Sequence, residues 1–233
     1  MNTGNDLVEV LDYFDIAINY RKLQYNLIKE YIKGDILEVG AGNGKLIEPF
    51  LNKNNKITLC EIDKNFFLAL KKKFKGKVKI YNCSIKNLKF RYDTILYGDV
   101  LEHIKHDKKE ILLALSKLKH NGRLIIIVPA FNFLFTEFDK YVGHYRRYNS
   151  NFFTSFAKKN NLKIEKIRYF DFIGFNILLI KKIFSFLVSM SSKKKLSFFV
   201  YIWDKLLFFS NFFDFFLSKI AGKSLLVIIK KNV

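Results

Sequence analysis

Proline is nearly absent, with two in 233 residues, and cysteine is as scarce, with Cys60 and Cys83 alone. Two thiols are too few for a disulfide-stapled scaffold, so free buried thiols and a reducing, cytoplasmic setting are expected. Acids are also short: 21 against 41 lysines and arginines, a formal charge of +20. That balance excludes an acidic solvating chain and points to nucleic acid or an anionic membrane. The lysines are scattered through "LKKKFKGKVK", "SKLKH" and "FAKKNN" rather than massed in a tail. With Asn, Ile and Phe abundant, AT-rich coding explains the same charge without a partner. Uninterrupted apolar runs of spanning length are missing, because Lys181-Lys182, Asp204-Lys205 and Asp214 break the aromatic C-terminal stretch. The opening "MNTGNDLVEVLDYFD" has acids and no apolar core, so no secretory signal is expected there.

Half of the residues are hydrophobic, enough for the core of one domain. Short β-branched runs at 35–40, 56–61, 77–82, 92–98 and 123–129 suit strands buried on both faces. Helix patterns fall at 19–32, 44–53, 64–74 and 107–119, and "HNGR" (120–123) is expected to close the last of these. A helix (150–160) and a strand (162–170) follow, then two aromatic-rich segments and a final strand, "KSLLVIIKK". The alternation predicts an α/β, doubly wound sheet. Its expected division is a core of 1–170, a hydrophobic helical insertion of 171–220 and a returning strand in 221–233. Ligands of such sheets sit beyond the carboxyl ends of the strands, where the first glycine turn, Glu61, Ser84 and the Gly98-Asp99 corner all belong.

The turn is "ILEVGAGNGKLIEPF" (36–50). A phosphate loop would need Gly-Lys-Ser/Thr after four spacer residues, but Leu46 follows Gly44-Lys45. A dinucleotide loop would need glycine where Lys45 stands. Instead "EVGAGNG", with an acid ending the second strand, resembles the class I S-adenosylmethionine-dependent methyltransferases. The resemblance runs from about Tyr20 to the last strand. It implies a Rossmann-like, seven-stranded, mostly parallel sheet with an antiparallel last strand. It also implies S-adenosyl-L-methionine as cofactor. Gly40, Ala41 and Gly42 would carry backbone past the methionine half, and Glu38 would order that contact. Glu61 would accept the ribose hydroxyls, with Ile62 on the adenine. Ser84 stands where the family places an acid for the adenine amino group, followed by Ile85. Asp99 would line the methionine or acceptor side.

The opening also resembles the rRNA adenine dimethyltransferases, but "LYGDVLEHI" lacks the proline-aromatic loop that grips a flipped base. Nucleic acid is therefore not the expected partner. "DTILYGDVLEHI" with "NGRLIIIVPAF" instead resembles methyltransferases of small-molecule and lipid-like acceptors. "FDKYVGHYRRYN" (138–149) resembles a segment of bacterial members with unassigned substrates. Tyr145, Arg146, Arg147 and Tyr148 are expected to hold an anionic or sugar-like acceptor. His144 is expected to take a hydroxyl proton, since imidazole titrates near neutrality, whereas His103 is expected to orient its loop. No metal is expected, because "EHI" has no second ligand cluster at metal spacing.

In "LSFFVYIWDKLLFFSNFFDFFLSKI", Phe199, Trp203, Leu206, Phe209, Phe213, Phe216 and Ile220 recur at helical spacing. Asp204, Asn211 and Ser218 are expected on the other side. A lid over a greasy acceptor pocket follows, with peripheral contact on the anionic inner face of a membrane. A lipid-like or lipid-linked glycan acceptor is the matching substrate class. An NAD-type oxidoreductase and a non-catalytic binding protein are the readings outside this class. Nothing in the sequence sets the oligomeric state.

Overall fold

The computed structural model describes residues 16–51, 55–183 and 193–231. The opening segment read for a signal peptide, residues 1–15, lies outside the described residues, as do 184–192 within the insertion. The apolar runs form β1 (Asp35–Val39), β2 (Lys56–Cys60), β3 (Lys79–Tyr81), β4 (Tyr92–Gly98) and β5 (Leu118–Pro129), all parallel. β7 (Ser224–Lys230) runs antiparallel between β5 and β6 (Lys163–Phe170). The order is β3-β2-β1-β4-β5-β7-β6. The chain therefore leaves β1 in opposite directions, and the crevice of the doubly wound sheet opens between the ends of β1 and β4.

Helices cover both faces: α1 (Ile18–Ile28), α2 (Lys64–Phe74), α3 (Asp107–Ser116), α4 (Glu137–Tyr141), α5 (Ser150–Lys159), α6 (Phe172–Ile183) and α7 (Lys193–Leu217). One core packs Leu37, Val39 and Ile126 against Ile111, Phe153 and Phe156. The other packs Ile36 and Ile125 against Ile28, Leu70, Phe74 and Trp203. Side chains alternate along a strand, so Glu38 shares the face of Ile36, under α1.

Three local expectations are corrected. Residues 44–51 form turns and a 3-10 turn at Glu48–Phe50, not an α-helix. The left-handed Gly44 and the ring of Pro49 interrupt helical bonding there; residues 52–54 of that expected helix lie outside the described residues. "HNGR" does not end a helix, because α3 stops at Ser116 and these residues bulge within β5. Asn121 takes φ +58° in that bulge, a conformation asparagine tolerates.

The third concerns α7, where Asp204 was expected on the side opposite Trp203 but is buried beside it. Asp204 (4 % exposed), Ser210 and Asp214 (2 %) face inward beside Trp203 and Leu207, while Phe208 (77 %) and Phe215 (80 %) face out. Phe209 and Phe216, and Ile220 just past the helix, are exposed as well. Asn211's side chain lies outside the described residues. The buried acids have a task. Asp204 accepts the Tyr20 and Asn19 amides at 2.9 and 3.2 Å, capping α1, whose own Ala17 offers no side-chain cap. Asp214 accepts the Asp171 and Phe172 amides at 2.8 and 2.9 Å, at the start of α6.

Candidate functional site

The turn after β1 brings backbone to the crevice. Gly40, Gly42 and Gly44 all have positive φ, +64°, +52° and +69°. A Cβ on Gly40 would meet the Val100 methyls at 2.8 Å, so this turn excludes side chains by space as well as conformation. The Gly40 amide donates to the Cys60 carbonyl at 2.8 Å, tying the turn to β2. Glu61, at the end of β2, is buried; its carboxylate accepts the Gly42 amide at 2.9 Å and the Asp63 amide at 2.9 Å. Each oxygen keeps a second lone pair for a hydroxyl. Ile62 beside it is 75 % exposed, an apolar residue on an open rim.

Glu38 is buried, and its Oε2 has no partner. Desolvation raises its pKa to about 8, while Arg21 and Lys73 pull the other way. Asp99 sits opposite at φ +56° and accepts from the Gln24 side chain at 3.2 Å. Burial raises its pKa, against the charges of Arg21 and Lys223. The charge of Arg21 in α1 acts on both acids, and its own Nε is buried without a partner. A cavity of about 280 Å³ lies beside the turn, lined by Ile18, Arg21, Lys45, Glu48 and Pro49. A second, of about 540 Å³, lies by Asp35, Lys56 and Lys79 at the amino ends of β1–β3, away from the crevice.

The bare turn, the buried unpaired Glu38 oxygen and the Glu61 carboxylate fit S-adenosylmethionine. The methionine half has a cation and needs close backbone, and the ribose needs an acceptor pair. Of the two residues expected around the adenine amino group, Ile85 differs in placement. Ser84 is exposed and donates to the Asn87 side chain at 3.0 Å. The side chain of Ile85 is fully buried in the core, so it has no face toward a ligand.

The second half of the site is built around Asp139, which is fully buried. It accepts from His144 Nδ1 at 2.8 Å, from Arg147 Nε and Nη2 at 2.8 and 3.0 Å, and from the Thr136 amide at 2.8 Å. Burial alone would raise its pKa, but the His144 and Arg147 bonds outweigh it and hold the carboxyl below the usual range. Arg147 keeps Nη1 buried and unpartnered. Arg146 pairs with Asp107 at 2.6 Å. Tyr145 is 56 % exposed. Tyr148 corrects its expected role: it is buried, and its hydroxyl is taken up by the Leu101 carbonyl at 3.1 Å and Asp107 at 3.0 Å.

Sequence spacing hid two neighbours of His144. Glu102 Oε1 lies 3.8 Å from its Nε2, and the His103 ring stands edge-on at 4.6 Å. Burial, then Asp99, drives the Glu102 carboxyl well above its ordinary pKa. Burial and His144 lower that of His103 to about 4. Lys223, at the start of β7, lies 3.4 Å from Asp171 with its amine 3.5 Å from the Trp203 ring centre. Beside this loop, Phe131, Phe133, Phe172 and Phe175 stack into an aromatic wall.

Residues 37–124 match the family model described as a methyltransferase domain. No curated protein matches the chain by sequence. An S-adenosylmethionine-dependent methyltransferase from Thermotoga maritima superposes with TM-score 0.63 at 16 % identity, over 96 % of this chain and 95 % of that one. A protein described as a methyltransferase from Bacillus halodurans gives 0.59 at 15 %, over 90 % and 99 %. Coclaurine N-methyltransferase, bound to N-methylheliamine and S-adenosylhomocysteine, gives 0.60 at 16 %, over 92 % and 72 %. Residues 37–124 thus match a methyltransferase domain, and the chain has the fold of the S-adenosylmethionine-dependent methyltransferases. S-adenosylmethionine is the cofactor of that class.

Proposed function

We propose that this chain transfers a methyl group from S-adenosylmethionine to a hydroxyl of a small, lipid-like or lipid-linked glycan acceptor. The observation that carries this reading is the His144–Asp139 pair at 2.8 Å, beside the glycine turn's crevice. Asp139 fixes the ring so that Nε2 is free to take a proton, the arrangement a general base requires.

When bound, the cofactor supplies an electrophilic methyl on a sulfonium. The rest is alignment and exclusion of water. Glu38 and Asp99 would hold the cofactor's ammonium group, Gly40, Ala41 and Gly42 its backbone contacts, and Glu61 its ribose. Ile62 would cover the adenine, with Ser84 at its edge. His144 would accept the acceptor's proton. Tyr145, Arg146 and the unpartnered Nη1 of Arg147 would hold an anionic or sugar group, and Tyr148 positions their loop. The "GHYRRY" segment supports this through its resemblance to bacterial methyltransferases of unassigned substrate.

The outward phenylalanines of α7 support a lipid-like acceptor and docking on the anionic inner face of a membrane. Among the described residues, no helix is long and apolar enough to cross one, so the docking proposed is peripheral. Exposed aromatics bind the bilayer interface, and lysines such as Lys205 and Lys219 attract its charge. The chain is incubated with methyl-labelled S-adenosylmethionine and separate lipid, glycan and RNA extracts. Label in the lipid or glycan fraction supports the reading; label confined to RNA overturns the acceptor class.

A further inference from the structure

We propose that Glu102, His103 and His144 form a binding site for one divalent transition-metal cation at the acceptor end of the crevice. This deepens the transferase reading and rests on it for its role, though not for its geometry. One ligand atom from each residue lies within 4.8 Å of the others. Two imidazoles and one carboxylate are the donor set of open, catalytic zinc and iron sites, and nitrogen donors select such ions over magnesium.

Three further features favour a cation here. His144 Nδ1 is held by buried Asp139 at 2.8 Å, the carboxylate–histidine pairing that orients a metal ligand and leaves Nε2 for the ion. Glu102, 1 % exposed, has its Oε2 buried with no partner. The nearby Arg147 charge is offset by its two bonds to Asp139. The Nε2–Oε1 gap of 3.8 Å is near the edge of a tetrahedron with ligand bonds of about 2.0–2.1 Å, roughly 3.4 Å. Binding would draw the three side chains together by about an ångström. A cation there would hold an acceptor oxygen and let its proton pass to water; His144 would serve as its ligand in the loaded chain and as the base in the metal-free one.

The test uses the tag-free, full chain, stripped with a chelator and dialysed. Co²⁺ is titrated in, and its visible ligand-field absorption is recorded; Zn²⁺, Mn²⁺ and Mg²⁺ are compared by calorimetry. The expected result is one equivalent of Co²⁺ and Zn²⁺ per chain, with Mg²⁺ at least a hundredfold weaker. H103Q and H144Q should each weaken Zn²⁺ by about a hundredfold, and D139N by about tenfold. H120Q, an exposed histidine outside the site, should change nothing. A wild-type chain that shows neither ligand-field bands nor stoichiometric binding overturns the site, whatever the variants do. Cofactor binding is measured on the stripped protein. Cofactor without metal overturns this site alone. Metal without cofactor supports the site and overturns the transferase reading.

Discussion

Glu38 is held neutral by its surroundings, and that gives a pH signature. Its pKa is 4.5 in the ordinary range and about 8 in the folded chain, raised by desolvation. The folded state therefore binds the extra proton, and its stability declines as pH rises from about 4.5 through 8. E38Q should melt like the parent at pH 5 and several degrees higher at pH 8.5, measured without cofactor. It should also bind S-adenosylmethionine at least tenfold more weakly by calorimetry, since an incoming ammonium would draw the proton off Glu38 and meet a carboxylate, which glutamine cannot form. A melting difference that does not vary with pH would contradict the burial argument. At Gly40, φ is +64° and a Cβ meets Val100 at 2.8 Å. G40A should cost about 1–3 kcal/mol in denaturant unfolding and abolish measurable cofactor binding. Glu38, Gly40, Gly42 and Glu61 were legible as strand-end residues because they are close in sequence to apolar strands. Arg21, Glu102 and Asp139 were not, for different reasons. Arg21 is one basic residue among many, and Glu102 read as part of a loop. Asp139 had one local sign, lying five before His144, but only burial reveals it as the centre of the loop.

At the scale of elements, α7 decides most. Its inner face carries Asp204 and Asp214 as caps for α1 and α6. D204A leaves the first amides of α1 without an acceptor, which should cost about 1–3 kcal/mol and lower the melting temperature by several degrees. Cofactor affinity should fall with it, because α1 carries Arg21 over the crevice; a melt unchanged within error would remove Asp204 from this role. The outer face makes the opposite prediction. F208S/F212S/F215S, all exposed positions, should leave the melt unchanged and cut sedimentation with phosphatidylserine-containing vesicles at least tenfold. Equal sedimentation would refute the docking face. Apolar periodicity located this helix but did not separate its polar from its apolar residues. Phenylalanine fills one side after another along its length, so spacing alone does not distinguish in from out. The decisive term is the unmet amides of two other helices, which draw carboxylates inward. The expected helix at 44–53 failed for a related reason, since its pattern was apolar while its glycine and proline oppose helical bonding.

The whole molecule carries a formal charge of +20, its lysines scattered along the sequence, and that sets how docking responds to salt. Raising ionic strength from about 0.1 to 1 M shortens screening from about 10 to 3 Å. Vesicle association should therefore weaken with salt yet persist in part, because the aromatic contribution is unscreened. Complete loss at high salt would show that charge alone carries the association. The doubly wound sheet and a crevice at the strand carboxyl ends were accessible from the alternation of strands and helices. The antiparallel last strand was implied only by the family resemblance, and the order and the place of the crevice at β1/β4 came from the structure.

By itself, the sequence determined the layered α/β core, the glycine turn and the acid that faces it, because these depend on short-range pattern and on strand ends. Tertiary structure alone decided which polar groups meet: Glu102, His103 and His144 in one corner, Asp139 between His144 and Arg147, and the acids of α7 under foreign helix ends. Those meetings follow from burial, which makes an unpaired polar group costly and so favours partners from distant parts of the chain that folding brings within reach.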